Sequence, residues 1–233
     1  MLDQSRQDKI VPADELADVQ CVVAGVGSLG RPTVTGLARI GAKRVTIYDD
    51  DTVEAVNCAP QGYPTDSTGE AKVNACWHLA NDFGAIYGHI DRKLLPESIP
   101  EAAFDHRPVL GDADSLKLVL FLCVDSLQTR KELAIAAKAA GYSLIIDQRM
   151  GGLTFKVLTV DLASEPDWEA YLESFDVAPL VMPCGQQMTS FAPEICAGMA
   201  ICQFVKWLKG NRFPDLAIDI HVDLDMNTFM FDA

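Results

Sequence analysis

Four groups of residues in this chain have types and spacings suited to chemistry on a phosphorylated ligand. Gly25-Val26-Gly27-Ser28-Leu29-Gly30 is a glycine turn whose backbone N–H groups can approach phosphate at a helix N-terminus. Asp49-Asp50-Asp51 places carboxylates where ribose hydroxyls are commonly held, with Asp49 the best situated and Asp51 beside it. The polar stretch that follows contains Asn57 and Gln61 and ends in Gly69-Glu70-Ala71-Lys72, which brings a flexible cation into the first turn of a helix. Asp125 closes an apolar run and suits magnesium, a hard ion that takes carboxylate and phosphate oxygens. The glycines and Asp49 alone fit a nicotinamide dinucleotide. The long polar stretch before Lys72 does not, because a nicotinamide dehydrogenase usually starts a helix soon after its acidic residue. Together the residues favour ATP with Mg2+.

These side chains need elements that bring them to one edge. Residues 20–25 read as a strand, 30–40 as a helix and 44–49 as a second strand. A polar loop is expected over 52–67 and a helix over 69–82. A third strand falls within 85–95, and 96–114 is irregular. Leu118 to Val124 is continuously apolar, as in a strand buried on both faces. An alanine-rich helix over 127–140 ends at Gly141, and Asp125 is placed to cap its start. Strands follow over 142–147 and 154–161, the latter alternating like an edge or antiparallel strand. A long loop over 177–193 precedes a helix over 194–209, and 217–224 with 228–231 read as a terminal hairpin. Residues 3–18 read as a short N-terminal helix with its lead-in. The fold class is α/β: a doubly wound, mainly parallel, Rossmann-like sheet with a C-terminal antiparallel hairpin. Such sheets bind ligands at the carboxyl ends of their strands, and the glycine turn, Asp49 and Asp125 all fall at such ends.

Composition narrows the class. The chain has 233 residues, 49% of them hydrophobic, enough for one α/β domain with a full core. A net charge of −14 argues against nucleic acid or anionic lipid as a partner and leaves room for a basic protein. The first nine residues are charged and lack the apolar stretch of a signal peptide, and no membrane span is expected. Seven cysteines without a Cys-x-x-Cys pair suit a reducing cytoplasm and predict no structural zinc. The four histidines have no metal-binding spacing.

The order of these motifs resembles the ThiF/MoeB/HesA family, whose relatives include ubiquitin-activating enzymes. The matching pieces are Ser5-Arg6-Gln7, Val22 to Gly30, Asp49 to Glu54 with Asn57 and Gln61, Gly69 to Lys72, and Val124-Asp125-Ser126 with Arg130. They span about residues 4–150, the nucleotide-binding half of a single adenylation domain covering 1–233. Residues 151–233 then supply a crossover loop, the late helix and the hairpin. The resemblance implies adenylation of the C-terminal carboxylate of a small ubiquitin-like or sulfur-carrier protein, with a conjugating enzyme as a further partner. It assigns the ribose to Asp49, the nucleotide-lining backbone to Gly27 and its neighbours, the phosphates to Arg6, Asn57 and Lys72, and Mg2+ to Asp125. It also implies a homodimer, because Arg6 in such enzymes reaches into the partner subunit.

Two departures stand against the resemblance. The family carries Arg-Gln after the asparagine, whereas Pro60-Gln61 stands here, and Arg31 is the nearest cation able to compensate. Removing one charge-assisted phosphate contact takes about 2–4 kcal/mol from transition-state stabilisation. The zinc-binding cysteine pairs of many relatives are also absent. Pro183-Cys184-Gly185 remains in the crossover region, where Cys184 is the candidate to capture the adenylate as a thioester, with Cys58 the competitor. Four readings are therefore weighed: an activating enzyme for a carrier protein, an enzyme that adenylates a small carboxylate or a modified tRNA nucleoside (the −14 charge disfavours tRNA), a catalytically silent scaffold that binds a carrier, and a nicotinamide-dependent oxidoreductase.

Overall fold

A computed structural model describes residues 3–83, 88–102, 116–151, 154–176, 189–210 and 222–223. Its strands are β1 (Val19–Ala24), β2 (Val45–Asp49), β3 (Gly88–Asp91), β4 (Lys117–Leu122), β5 (Leu144–Gly151), β6 (Thr154–Asp161) and β7 (Val222–Asp223). Its helices are α1 (Ala13–Ala17), α2 (Gly30–Arg39), α3 (Ala55–Gln61), α4 (Lys72–Asn81), α5 (Ile99–Ala102), α6 (Leu127–Ala139), α7 (Glu165–Glu173) and α8 (Phe191–Leu208).

The strands form one sheet in the order β3-β2-β1-β4-β5-β6-β7. The first five are parallel, and β6 and β7 run antiparallel to their neighbours. Alternation along the strands divides the core. Cys21 and Val23 of β1, Val119 and Phe121 of β4 and Ile146 of β5 pack on the face covered by α2, α4 and α8. Val22 and Ala24, Leu120 and Leu122, and Ile145 face the opposite layer with Leu133 of α6 and Tyr171 of α7. Both faces are buried, so residues 21–24 of β1 and 118–122 of β4 read as unbroken apolar runs rather than alternating ones.

Strand order reverses between β1 and β4. A parallel sheet opens a crevice at such a point, because its flanking connections leave to opposite faces. The glycine turn leaves β1 there, and Asp125 lies three residues beyond the end of β4.

The doubly wound, mainly parallel sheet agrees with the sequence reading, and several boundaries move. The loop expected over 52–67 contains α3 and a short 3-10 turn at Thr65–Ser67. Pro60 sits in the last turn of α3, where it gives up a single backbone donor and its fixed φ is already helical. Gly62, at φ +73°, then ends α3. The N-terminal helix shrinks to α1 after a series of turns, since the residue before Pro12 disfavours helical backbone. Helix α8 starts at Phe191, with Pro193 in its first turn where no N–H is missed. Ser126, not Asp125, caps α6, accepting from the Thr129 N–H at 3.2 Å. Strand β6 is antiparallel as expected but is not an edge, because β7 pairs with it. Of the terminal hairpin only β7 is within the described residues, and 228–231 lie outside them. Among the described residues no helix is long and apolar enough to cross a membrane.

Candidate nucleotide site

The glycine turn is shaped by two close approaches. Gly25 has φ +86°, and a Cβ on it would lie 3.1 Å from the Cys123 carbonyl oxygen. A Cβ on Gly30 would overlap the Gly25 carbonyl, with that carbonyl carbon only 2.8 Å away. These two glycines therefore let β1, the turn and α2 pack together. Gly27 differs: a Cβ there would meet nothing within 4 Å. Its backbone, with Ser28 and Leu29 leading into α2, borders the open side of the turn.

Asp49 ties the turn to the end of β2. One carboxylate oxygen accepts from the Val26 N–H at 2.7 Å and the other from the Asp51 N–H at 2.9 Å. Burial pushes its carboxyl above the ordinary range, against the lowering effect of those two N–H groups and of Lys72. Asp49 thus shapes the turn as well as offering its remaining lone pairs to a hydroxyl.

Lys72 opens α4 and is buried, with 6% of its surface exposed. Its Nζ lies 2.7 Å from Asp51 Oδ2, and its backbone N–H donates to the Asp51 carbonyl at 2.9 Å. Tyr63 joins the pieces: its hydroxyl donates to the Val26 carbonyl at 2.6 Å and lies 3.4 Å from the Lys72 carbonyl. No motif marks Tyr63, because its role arises only when the chain after α3 returns under the glycine turn.

Asn57 and Gln61 lie on α3, Asn57 partly exposed and Gln61 7% exposed. The Gln61 carbonyl accepts from Arg31 Nε at 2.7 Å, and the other end of Arg31 pairs with Glu194 of α8. Gln61 Oε1 is buried without a hydrogen-bond partner among the described residues. An unpaired buried acceptor costs about 1–3 kcal/mol, which a donor from a bound ligand would offset.

Asp125 is exposed just beyond β4 and makes no hydrogen bond or ion pair among the described residues. The segment before it is held from behind. Arg130 of α6 donates to the Leu122 carbonyl at 3.1 Å and pairs with Asp147, which is fully buried on β5. An unengaged acceptor-only carboxylate at this crevice fits Mg2+. Asp49, Asp50 and Asp51 also have carboxylate oxygens within 4.8 Å of one another. That trio is already engaged: Asp49 by backbone N–H groups, Asp51 by Lys72, and Asp50 by Lys93 at 3.5 Å.

Not every expected residue joins the crevice. Gln4 and Gln7 donate to the Arg39 carbonyl at 3.2 and 3.1 Å, fixing the N-terminal turns at the C-terminal end of α2. The glycine turn is at the other end of that helix, roughly 15 Å away. Exposed Arg6 therefore stands far from the phosphate side of its own chain. Cys184 lies outside the described residues. Cys58, expected in a loop, is buried in α3, with Sγ 3.5 Å from the Glu54 carbonyl.

No curated protein matches the chain. Solved structures do, at identities that speak for the fold. PaaA superimposes with a TM-score of 0.65 at 20% identity, over 92% of this chain and 63% of its own. MccB from E. coli, solved with ATP, gives 0.60 at 14% identity over 88% and 60% of the two chains. The E. coli tRNA N6-threonylcarbamoyladenosine dehydratase TcdA gives 0.64 at 16% identity over 89% and 94%. The chain thus spans about three fifths of PaaA and MccB and nearly all of TcdA. The profile of the ThiF family matches residues 6–229, and the chain is a member of that family.

Proposed function

We propose that this protein binds ATP with Mg2+ and adenylates the C-terminal carboxylate of a small ubiquitin-like or sulfur-carrier protein. The observation that carries this reading is the joining of Asp49 and Lys72 around the glycine turn, through Val26 and Asp51, at the point where strand order reverses. The same edge offers a hydroxyl acceptor, a buried cation and an exposed carboxylate, the three things a nucleoside triphosphate with its metal needs. That MccB was solved with ATP and with the peptide MccA supports a nucleotide and a polypeptide ligand for this chain.

The chemistry asks little of the protein beyond charge and position. A carboxylate oxygen of the substrate attacks the α-phosphorus, the bond to the bridging oxygen toward the β-phosphorus breaks, and pyrophosphate leaves with the electron pair. The nucleophile is already ionised at neutral pH, so no general base is required. Lys72 would face the phosphates and offset charge as pyrophosphate separates. The backbone from Gly25 to Gly30 would line the nucleotide, Asp49 would take the ribose, Asn57 of α3 would face the phosphates with Lys72, and Gln61 would border the nucleotide. Asp125 would hold Mg2+, which when bound neutralises phosphate charge. If Cys184 attacks the carbonyl carbon of the adenylate, AMP leaves and the thiol proton passes to solvent, giving a thioester. Buried Cys58 is poorly placed for that role.

Arg6 would complete the site of a second copy, since its anchorage at the far end of α2 separates it from its own. The reading is thus of a homodimer, and the cysteines without a Cys-x-x-Cys pair favour the cytoplasm as its compartment. The test is ATP–pyrophosphate exchange with candidate carriers: wild type should exchange, and Lys72→Ala and Asp125→Ala should each lose most of it. Exchange that survives both substitutions sinks the assignment. A thiol-sensitive carrier adduct that persists in Cys184→Ala would remove Cys184.

The silent-scaffold reading draws on one observation, the tethering of Arg31 to Glu194 where Pro60 leaves α3 without an arginine. Carrier binding without exchange would favour it.

A further inference from the structure

Two cations at this sheet edge share an unusual pairing. The Lys72 side chain is 7% exposed and its partner Asp51 is 65% exposed; the Arg31 side chain is 13% exposed and its partner Glu194 is 52% exposed. Each pair joins a nearly buried cation to a carboxylate that stands mostly in water. A solvated carboxylate holds a cation weakly, and it can turn into solvent without leaving itself unsatisfied. The cation cannot turn away in the same manner, so it stays and needs another anion.

Arg31 is built to stay. It follows Gly30 directly, in the first turn of α2. Its Nε donates to the Gln61 carbonyl at 2.7 Å, and its guanidinium lies so close to Gly62 that a side chain there would collide with it. That contact fixes one edge of the planar group on the end of α3. Nη2 meets Glu194, and Nη1 makes no hydrogen bond among the described residues. The nearly buried Gln61, whose Oε1 lacks a partner among the described residues, sits on the same helix end. A guanidinium held by one edge presents its remaining N–H groups as a fork, the geometry that takes two phosphate oxygens at once.

We propose that Arg31 is a phosphate-binding residue for the β- and γ-phosphates of ATP, and that Glu194 is a placeholder the phosphates displace. The inference rests on the ATP reading above. It moves a cation that α3 lacks onto the neighbouring helix α2, and it couples α8 to the nucleotide: filling the site releases Glu194.

Calorimetric titration with ATP and with AMP separates this role from a structural one. Arg31→Ala should weaken ATP about 10- to 100-fold while leaving AMP within about twofold. Glu194→Gln, which keeps the shape and removes the rival charge, should tighten ATP about two- to fivefold with AMP unchanged. Equal effects on ATP and AMP, or none on either, overturn the proposal. If Arg31→Ala fails to fold, Glu194→Gln decides: unchanged or weaker ATP binding overturns it. Wild type that binds no ATP overthrows the functional reading and this inference together. Wild type that binds ATP, with an ATP-over-AMP preference unmoved by both substitutions, overthrows only the role of Arg31.

Discussion

Asp147→Ala should cost about 4–6 kcal/mol of folding stability, and the size follows from what surrounds the carboxylate. Asp147 is fully buried on β5 and accepts from three groups: Arg130 Nη1, Arg149 Nε at 2.8 Å and the Tyr171 hydroxyl at 3.1 Å. The Arg130 side chain is only 4% exposed, so removing its partner strands a charge in the core, at about 3–5 kcal/mol. The Tyr171 hydroxyl, also buried, adds about 1 kcal/mol when its acceptor is lost. Arg149 contributes less, because it keeps its Ser174 bonds and its position 4.3 Å from the centre of the Phe175 ring. Against a typical domain stability of about 5–15 kcal/mol, this is enough to unfold a large fraction of the protein. Urea unfolding with linear extrapolation measures it. The double substitution Asp147→Leu with Arg130→Met, which removes both charges, should recover most of the loss, since apolar replacements of a buried pair are often neutral. A loss below about 1.5 kcal/mol for Asp147→Ala would refute the reasoning, as would a double variant no better than the single one.

The glycines should separate structure from binding. Gly30→Ala collides with the Gly25 carbonyl and should destabilise by about 1–3 kcal/mol, whereas Gly27→Ala should leave the thermal midpoint nearly unchanged and weaken ATP in titration. The pH dependence carried by Asp49 has a definite sign. Its carboxyl is raised in the folded state, so the native protein holds the proton at a pH where the unfolded chain has released it. Stability from this group therefore rises as pH falls from neutral through the folded pKa and levels off below the ordinary value. Urea unfolding at several pH values should show wild type gaining relative to Asp49→Asn on acidification; a gain on alkalinisation contradicts the burial argument. Thiol labelling mapped by mass spectrometry should modify exposed Cys202 well before Cys76, whose buried thiol is pushed up to about 12. Equal rates in the native protein would mean the core around α4 opens readily.

The sheet was legible because its evidence is local and repeated. Apolar runs such as Cys21 to Ala24 and Leu118 to Leu122 can lie only where both faces are covered, and their alternation with helical patterns predicts parallel order. Helix α3 was not legible, because Pro60 and its polar neighbours look like a loop until tertiary packing buries Cys58 and Gln61. The Ser126 cap was missed for a smaller reason: aspartate and serine are equally good caps, and their order in the turn decided which one met Thr129.

For the site, residue types and spacing marked the sheet edge and pointed to a nucleotide as the ligand to propose. The glycine turn, Asp49, Lys72 and Asp125 each lie at an element boundary that the sequence pattern marks. Only the tertiary structure decided what those residues do to one another. Asp49 anchors the glycine turn, Asp51 shields Lys72, Tyr63 links the turn to α4, and Arg31 reaches Glu194 across 163 positions of sequence. The same structure separated Arg6 from the crevice by the length of α2. The physical reason is range. Backbone conformation and burial pattern are written over a few consecutive residues, while charge pairing and hydrogen bonding depend on which distant segments the fold brings within about 3 Å.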